Sequence, residues 1–252
     1  MSILLQWSPP PTEVCLLDDE IHIWRAPLDL EPQLVHQLNT YLTSDELARA
    51  ARFKFDQDRL RFIAARGILR VVLGTYLHQK PASLVFSYGP HGKPTLQPID
   101  AHNTLHFNLS HSHGVALYAV AKTRVVGIDI EALRSKSDWE DIAQRFFSHG
   151  EYLEILAQPE AARFKAFFQC WTHKEAYIKA RGLGMTIPLN SFEVSFTANS
   201  LNGLRSADSD RWSLRGLEPA PGYTGAVVGE GQNWHLQCWS WMGWQPGNPA
   251  SR

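Results

Sequence analysis

The stretch Gly127-Ile128-Asp129-Ile130-Glu131 decides the fold and the site together. It alternates apolar and acidic residues, which is the pattern of a β-strand with one buried face. Residues two apart on a strand share a face, so we expect both carboxylates to point one way while the isoleucines enter a core. Two close carboxylates repel each other unless a cation lies between them, and oxygen ligands suit Mg²⁺ or Mn²⁺ better than zinc. A strand end with two solvated acids explains the same residues.

A second motif, Trp171-Thr172-His173-Lys174-Glu175-Ala176-Tyr177-Ile178-Lys179, lies on a long helix predicted from Pro159 to near Gly182. Trp171, Glu175 and Lys179 are four residues apart and therefore share one helix face. Glu175 would complete a metal site with the strand acids, and Lys179 would meet a phosphate oxygen. Lys174 lies on a neighbouring face, where it would assist or be solvated. A surface ion pair between Glu175 and Lys179 is the alternative.

A third motif, Phe107-Asn108-Leu109-Ser110-His111-Ser112, ends a predicted strand and enters a turn. Asn108, Ser110 and His111 can each donate a hydrogen bond to a phosphate, and a nearby dianion would raise the pKa of His111. A turn held by Asn and Ser side chains is the alternative. A zinc site that begins with His111 and His113 is disfavoured, because no further ligand follows at a zinc-like spacing.

Basic residues lie upstream of these motifs. Lys93 stands in the tight turn 89–94, and a long helix is predicted from Asp58 to His78 with one apolar stripe. The opposite face of that helix, together with the segment before it, carries Arg49, Arg52, Arg59, Arg61, Arg66 and Arg70. Such a face is usually solvated, but it would hold a second phosphate if it faced a cleft.

The remaining pattern indicates two similarly built halves. Strands are predicted at 21–24, 84–88, 105–109, 115–121, 125–130, 192–196, 212–214, 225–228 and 234–239. Short helices are predicted to begin at the capping boxes Ser137-x-x-Glu140 and Ser148-x-x-Glu151. Each half has a long helix followed by a hairpin, at 115–130 and at 224–239. We therefore predict an α/β (α+β) protein with an N-terminal lobe at 1–118, a C-terminal lobe at 119–252, and a cleft between them.

Composition narrows the functional classes. The chain has 252 residues, 44% of them hydrophobic, and a formal net charge of −1. We expect neither nucleic acid nor a membrane as a partner, because no global field recruits an anionic polymer or surface and no apolar run reaches the ~18 residues of a membrane span. The three cysteines are far apart, which favours a reducing compartment over disulfides or structural zinc. The beginning of the chain has no targeting pattern. We expect a soluble, cytoplasmic protein.

The ordered motifs GKP, FNLSHS, GIDIE and WTHKEAYIK resemble those of the Sfp-type 4'-phosphopantetheinyl transferases, the larger class of enzymes that activate carrier proteins. The resemblance spans about residues 45–196 and includes the segment Gly184–Leu189 after the second long helix. No single motif would suffice, but their order and spacing together are specific. His113 departs from the pattern, since relatives often have glycine there. The resemblance implies a pseudo-twofold monomer of two similar lobes, each with a long helix packed on a small sheet.

The resemblance also implies roles for individual residues. Coenzyme A would lie in the cleft, with Mg²⁺ (or Mn²⁺) beside its pyrophosphate and Asp129, Glu131 and Glu175 as metal ligands. The implied coenzyme A contacts are Arg49, Lys93, Asn108, Ser110, His111 (near the 3'-phosphate), Glu175 and Lys179 (on the pyrophosphate). Arg61, Arg66 and Arg70 are further candidates without a secure match to the family pattern.

The activity implied by the resemblance is attack by a serine of an acyl or peptidyl carrier protein on the β-phosphate of coenzyme A. Phosphopantetheine moves to the serine and 3',5'-ADP leaves, with Asp129, Glu175 and Lys179 as the catalytic groups and Glu175 as the candidate base. A docking segment for the carrier is expected around residues 135–147. The alternatives are a metal-dependent phosphohydrolase of a nucleotide or pyrophosphate, a noncatalytic coenzyme A-binding module, and a mainly structural protein.

Overall fold

The computed structural model describes residues 6–97, 105–134, 138–196, 203–205 and 209–243. The strands are β1 (Glu20–Pro27), β2 (Phe86–Tyr88), β3 (Pro94–Leu96), β4 (His106–Ser112), β5 (Val115–Ala121), β6 (Val126–Ala132), β7 (Glu193–Val194), β8 (Leu204–Arg205), β9 (Trp212–Leu217), β10 (Tyr223–Glu230) and β11 (His235–Ser240). The α-helices are α1 (Pro32–Asn39), α2 (Ser44–Ala50), α3 (Asp56–Leu77), α4 (Trp139–Phe146), α5 (His149–Leu156) and α6 (Glu160–Arg181). The fold class is therefore mixed α and β, as predicted.

Two sheets carry the architecture. The first has the strand order β11-β1-β5-β4, and the second has the order β6-β10-β9. The strands β1, β5 and β4 have the same arrangement as β6, β10 and β9. In each set the first strand in the chain pairs antiparallel with the last, and the last pairs antiparallel with the middle one. We call β1–β5 with α1–α3 the first lobe, and β6–β10 with α4–α6 the second lobe.

Both predicted hairpins are wrong. The strands β5 and β6 follow each other in the chain, yet β5 pairs with β1 and β4 while β6 pairs with β10. Likewise β10 lies in the second sheet, and β11 returns to the first sheet to run parallel to β1. Each short polar turn therefore carries the chain from one sheet to the other. The division at residue 118 stays a prediction, and β11 extends the first sheet although its residues follow the second lobe.

The structure therefore has four layers, in the order α3, first sheet, second sheet and α6. One face of each sheet contributes to a shared apolar cluster that includes Ile23, Leu117, Ile128, Ile130 and Val227. The opposite face of the first sheet packs on α3, and the opposite face of the second packs on α6. The isoleucines of the acidic strand thus enter the inter-sheet core as predicted, while the acids face α6.

Buried ion pairs fix the long helices, and they correct two predictions about charge. Arg66 and Arg70 are not solvated: both are buried and donate to Glu46 on α2, at 2.7 and 2.8 Å. Lys174 is fully buried rather than placed for a substrate, and its Nζ lies 2.7 Å from the Glu151 carboxylate. Burial of a charge is tolerated when it is paired and hydrogen-bonded, so these groups stabilise the scaffold and are not available to a ligand.

Each buried acid also closes a capping box at the start of its own short helix. Glu46 accepts from the amide of Thr43, and Glu151 accepts from the amide of Ser148. The predicted box that begins at Ser148 is therefore confirmed. The box predicted at Ser137 begins outside the described residues. No helix in the described part of the chain has the length and apolar content needed to cross a membrane.

Candidate active site

The site lies where β4, an edge strand of the first sheet, runs beside β6, an edge strand of the second. Side chains rather than a backbone ladder join the two strands. Asn108 accepts from the amide of Ile128 at 2.9 Å, and Ser110 donates to the Asp129 carboxylate at 2.8 Å. The polar residues of β4 alternate along its sequence and therefore share one face, which is the face turned toward β6.

Gly127 allows α6 to approach this strand. A Cβ atom at position 127 would lie 2.2 Å from the carbonyl oxygen of Ala176 and 2.3 Å from the amide nitrogen of Ala180. Only glycine fits against the helix backbone at this point, since any side chain would force the helix away. Ala176 and Ala180 are the neighbours of Glu175 and Lys179 in the chain. The close approach therefore brings the two charged helix residues onto the acidic strand.

Lys179 and Ser110 share one oxygen of Asp129. The Lys179 ammonium lies 2.7 Å from Asp129 Oδ1 and 2.9 Å from Ser110 Oγ. The other carboxylate oxygen, Oδ2, is buried and has no hydrogen-bond partner among the described residues. An unpartnered buried carboxylate oxygen is costly, and it is a ready ligand for a cation.

Glu175 lies within the field of both strand acids. Burial raises the pKa of Glu175, and repulsion from Asp129 and Glu131 raises it further, while Lys179 lowers it. The strand acids therefore act on the helix acid electrostatically, while the predicted set of three metal ligands stays a prediction. Such mutual repulsion is relieved when a cation binds between the acids.

These residues fit a divalent metal ion, although they are not yet arranged as its complete ligand set. Among the described residues, no three His, Cys, Asp or Glu side chains form a ready-made metal cluster. Lys179 supplies the positive charge nearest to Asp129 in this arrangement. The donor set is all oxygen, its acids repel one another, and Asp129 Oδ2 is unpartnered, which together suit Mg²⁺.

His111 lies on the side of the site that is surrounded by positively charged side chains. Partial loss of hydration lowers the pKa of its imidazole, although the residue is still exposed. The positive charges of Lys179, Arg49 and Arg61 lower that pKa further, while Asp129 opposes them. A group of positive charges around one imidazole favours an anion, and a bound anion would in turn raise the pKa of His111.

Both arginines, Arg49 and Arg61, have other contacts as well. Arg61 forms a two-pronged ion pair with Asp29, at 2.7 and 2.8 Å. Arg49 is exposed on α2, stacks over the ring of Phe62 at 5.4 Å, and lines an open cleft of about 560 Å³. Arg49 is therefore accessible to a ligand, whereas Arg61 is held by a carboxylate.

The Lys93 ammonium points away from solvent. It donates to the carbonyl oxygens of Lys179, Val126 and Ala180, at 2.6, 3.3 and 3.4 Å, and burial lowers its pKa to about 8. Lys93 therefore joins the turn of the first lobe to the end of α6 in the second. Its role as a coenzyme A contact stays a prediction.

Ser112 is the residue that the predicted site omits. Its hydroxyl donates to Glu131 Oε2 at 2.8 Å and accepts from the amide of Ala132 at 3.1 Å. His113, which follows it, has a left-handed φ of 54°, a conformation that explains why glycine suits this turn. The signal for Ser112 is present in the sequence, because it continues the alternation of Asn108 and Ser110.

Two family models match the chain. One is described as the 4'-phosphopantetheinyl transferase superfamily and matches residues 125–228; the other is described as 4'-phosphopantetheinyl transferase, N-terminal, and matches residues 30–123. The first match contains the acidic strand and α6, and the second contains β4. The two lobes of the structure thus correspond broadly to the two matches.

Curated relatives agree with these matches. The chain is 44% identical to the 4'-phosphopantetheinyl transferase HetI of Nostoc sp. strain PCC 7120 over 233 residues, which cover 92% of this chain and 97% of that protein. It is 30% identical to the 4'-phosphopantetheinyl transferase Sfp of Bacillus subtilis, over 75% of this chain and 82% of that one.

A holo-[acyl-carrier-protein] synthase structure from Thermotoga maritima matches with a TM-score of 0.33 and 23% identity, over 43% of this chain and 64% of that chain.

Proposed function

The chain belongs to the 4'-phosphopantetheinyl transferase superfamily and has its transferase activity, and on that premise we propose the following donor, acceptor and metal. The donor is coenzyme A, the acceptor is a serine of an acyl or peptidyl carrier protein, and the metal is Mg²⁺. The products are the holo carrier protein and 3',5'-ADP. The observation that carries this proposal is the buried, unpartnered oxygen of Asp129, whose other oxygen lies 2.7 Å from the Lys179 ammonium. The charges of Asp129 and Glu131 also act on Glu175.

The three acids would hold the metal ion. When bound, Mg²⁺ would neutralise the pyrophosphate and the charge that develops on the leaving group. Asp129 offers its unpartnered oxygen, and Glu175 offers a carboxylate whose ionisation the neighbouring acids already disfavour. Phosphoryl transfer depends mainly on positioning and charge neutralisation, which this arrangement supports.

Cationic residues would hold the phosphates of coenzyme A. Lys179 is placed to move from Asp129 to a pyrophosphate oxygen, because its ammonium already lies at the acid cluster. His111 and Arg49 would bind the 3'-phosphate, since Arg49 is exposed and His111 lies among positive charges. Ser110 donates its single hydroxyl proton to Asp129, and it would turn that proton to the ligand when a phosphate binds.

The reaction would form one bond and break one. The carrier serine Oγ attacks the β-phosphorus, the bond from that phosphorus to the bridging oxygen breaks, and the electron pair leaves with 3',5'-ADP. The serine proton moves to Glu175, directly or through a water molecule. Glu175 is the candidate for this proton because its carboxylate lies within the field of the acid cluster. The same metal ion would lower the pKa that the neighbouring acids raise, so Glu175 would act as a base most readily through a water molecule.

We place the carrier near the segment 135–147. Residues 135–137 lie outside the described part of the chain, and α4 forms most of the rest. Phe146 at its end is 44% exposed and stands next to Arg145. An exposed aromatic ring beside a positive charge suits a carrier helix with acidic neighbours around its serine.

The proposal is tested by incubating several apo carrier proteins with coenzyme A, Mg²⁺ and this chain. We expect the carrier to gain the mass of one phosphopantetheine and the nucleotide product to be 3',5'-ADP. Addition of a chelator should stop the transfer, and Mg²⁺ should restore it. Release of phosphopantetheine to water with no carrier modified would instead indicate a phosphohydrolase. Tight binding of coenzyme A with no turnover would indicate a binding module.

A further inference from the structure

The strand β4 presents a row of polar side chains to β6. The row, which we call the polar ladder, consists of Asn108, Ser110 and Ser112, and all three are buried. Each forms at least one hydrogen bond with β6 within the segment 128–132. Because β4 and β6 belong to different sheets, these side chains take the place of the backbone bonds that would otherwise hold the two edge strands in register.

Ser112 stands at the end of the ladder that holds Glu131. A hydroxyl has a single proton, and an ionised carboxylate only accepts, so the proton of Ser112 is committed to Glu131 Oε2. The lone pairs of Ser112 Oγ then receive the amide proton of Ala132. The Nδ1 atom of His113 lies 3.2 Å from the same oxygen, and with the hydroxyl proton used it is assigned as a donor.

Ser112 therefore has little freedom to turn. The Ala132 amide fixes its oxygen from one side and the Glu131 carboxylate fixes its proton from the other, and the residue is only 8% exposed. Asp129 is held in the same way one step earlier, through Ser110. Ser110 on β4 thus orients Asp129 on β6, and Ser112 orients Glu131. Both pairs advance by two residues along their strands.

We propose that Ser112 is a positioning residue that holds the Glu131 carboxylate in the orientation required for metal binding. The inference rests on the proposed function for the identity of the metal, but its geometric content concerns Ser112 and Glu131 alone. Partners that orient metal ligands commonly change metal affinity or activity by about 10–100-fold when they are removed. Ser112 would act through Glu131 and would not itself contact the substrate.

The test compares three variants with the unaltered full chain. Ser112→Ala removes the hydroxyl, and Ser112→Thr keeps it at the same position. The matched control is Ser213→Ala on β9, because Ser213 is also buried and also donates one hydrogen bond, to the carbonyl of Gly231 at 2.7 Å. Both alanine variants lose a buried hydroxyl, but only the hydroxyl of Ser112 donates to an acid of the proposed metal site.

Two readouts separate positioning from a loss of stability. The first is calorimetric titration with Mg²⁺ in the presence of coenzyme A, and the second is urea unfolding. We expect Ser112→Ala to weaken Mg²⁺ binding about 10–100-fold and Ser112→Thr to restore most of that loss. Ser213→Ala should bind Mg²⁺ as the unaltered chain does, even where its unfolding midpoint falls as far as that of Ser112→Ala.

Equal Mg²⁺ affinity for Ser112→Ala and Ser213→Ala would overturn the proposal, and so would a Ser112→Thr variant as impaired as Ser112→Ala. Failure of the proposed function is recognised separately, because it concerns the unaltered chain and the mass of the carrier protein. If that chain transfers phosphopantetheine while the alanine variants bind Mg²⁺ equally, only the role of Ser112 is wrong.

Discussion

The two lobes have the same strand arrangement and long helices of equal length, yet they fill the space between first strand and helix in opposite ways. In the first lobe, β1 presents His22 and Trp24 to α3, where the Trp24 indole donates to the Tyr76 hydroxyl and His22 Nδ1 contacts it, both at 2.8 Å. In the second lobe, β6 presents Asp129 and Glu131 to α6. One interface is filled with large rings, and the other is lined with acids.

The long helices show the same contrast at matching positions. Both have 22 residues, so they can be compared from their first residues, Asp56 and Glu160. The positions that correspond to Glu175 and Lys179 are Val71 and Thr75 in α3. The difference teaches that two similar scaffolds carry different residues at the equivalent strand–helix interface, uncharged in the first lobe and charged in the second.

The two lobes are each held together by similar buried ion pairs. Arg70 in α3 corresponds to Lys174 in α6, and each is buried against an acid that closes the capping box of the preceding short helix. A common framework with one altered interface predicts that changes at the acids affect activity, whereas changes at the framework affect stability in both lobes alike.

The largest expected effect is on activity, from Asp129→Ala. The change removes the unpartnered carboxylate oxygen and the partner of Lys179, so we expect transfer to the carrier to fall by about 10²–10³-fold, the usual effect of removing one preorganised electrostatic group. The measurement is the rate of mass gain on the carrier at saturating coenzyme A. Urea unfolding should show that the variant is folded.

The matched change in the first lobe is Trp24→Phe. It removes the hydrogen bond to Tyr76, which costs about 0.5–1.5 kcal/mol, and it leaves a cavity in place of the larger buried indole, which adds to that cost. The transfer rate should be unchanged. If Asp129→Ala retains more than a tenth of the activity, Asp129 is not part of the catalytic machinery. If Trp24→Phe abolishes transfer in a folded protein, the two interfaces are not functionally different.

The next largest effect is on stability, from Glu46→Gln and Glu151→Gln. Each change leaves a buried cation without its charge partner, which typically costs about 3–5 kcal/mol. Glu46→Gln should be the more damaging, because Glu46 pairs with both Arg66 and Arg70, whereas Glu151 pairs with Lys174 alone. The free energy of unfolding in urea measures both.

The double variant Glu151→Gln with Lys174→Met provides the control. It removes the unpaired buried charge and keeps an acceptor oxygen for the amides that Glu151 binds, so it should recover part of the loss caused by Glu151→Gln. A loss below about 1 kcal/mol for either single variant, the value of an exposed pair, would show that the buried ions do not support that lobe.

Local patterns predict much of this fold, and their limits are physical. The long helices were predicted at 58–78 and from 159 to near 182, and they are observed at Asp56–Leu77 and Glu160–Arg181. Strand alternation correctly placed the isoleucines of β6 in the core and its acids on the other face. These features depend on neighbouring residues, which the sequence shows directly.

Strand pairing and charge burial were not predictable in the same way. A short polar turn between two apolar runs is typical of a hairpin, but β5 and β6 separate because each finds a better partner far away in the chain. Arg66 and Arg70 have the pattern of a solvated face, and only their pairing with Glu46 on another helix permits burial. Contacts between distant residues decide both features.

A smaller effect is expected on the pH dependence of stability. Burial lowers the pKa of His173 to about 4, below the value of about 6.5 in an unfolded chain. Protonation therefore favours the unfolded state: the contribution of His173 is fully present above pH 6.5 and is lost as the pH falls toward 4. The loss should be on the order of 3 kcal/mol. The corresponding residue of α3 is Leu69, which is fully buried and cannot titrate.

His173→Leu makes the second helix like the first at this position. Urea unfolding between pH 7 and pH 4 should show a shallower fall in stability for this variant than for the unaltered chain. His22, His106 and His111 also have lowered pKa values, so part of the acid sensitivity should persist. An unchanged pH dependence in the variant would show that His173 does not titrate with folding.

The smallest effect sharpens the comparison at the first residues of the two long helices. Both begin with an acid, Asp56 in α3 and Glu160 in α6, at the positive end of the helix dipole. Asp56→Asn and Glu160→Gln should each cost about 0.3–1 kcal/mol. Asp56 also accepts from Arg59 at 2.9 Å, whereas Glu160 forms no salt bridge with any other described residue. That exposed pair should add only about 0.2–0.5 kcal/mol to the cost of Asp56→Asn.

Ionic strength separates the two contributions. In 1 M salt the Debye length is about 3 Å, so the exposed pair should lose its effect and the two variants should become equally stable relative to the unaltered chain. If the difference persists at high salt, Asp56 supports α3 by a contact that α6 lacks, and the two helices are then not equivalent at their first residues. If it disappears, the helices share one mode of N-terminal stabilisation, and their difference lies in the residues that face the strands.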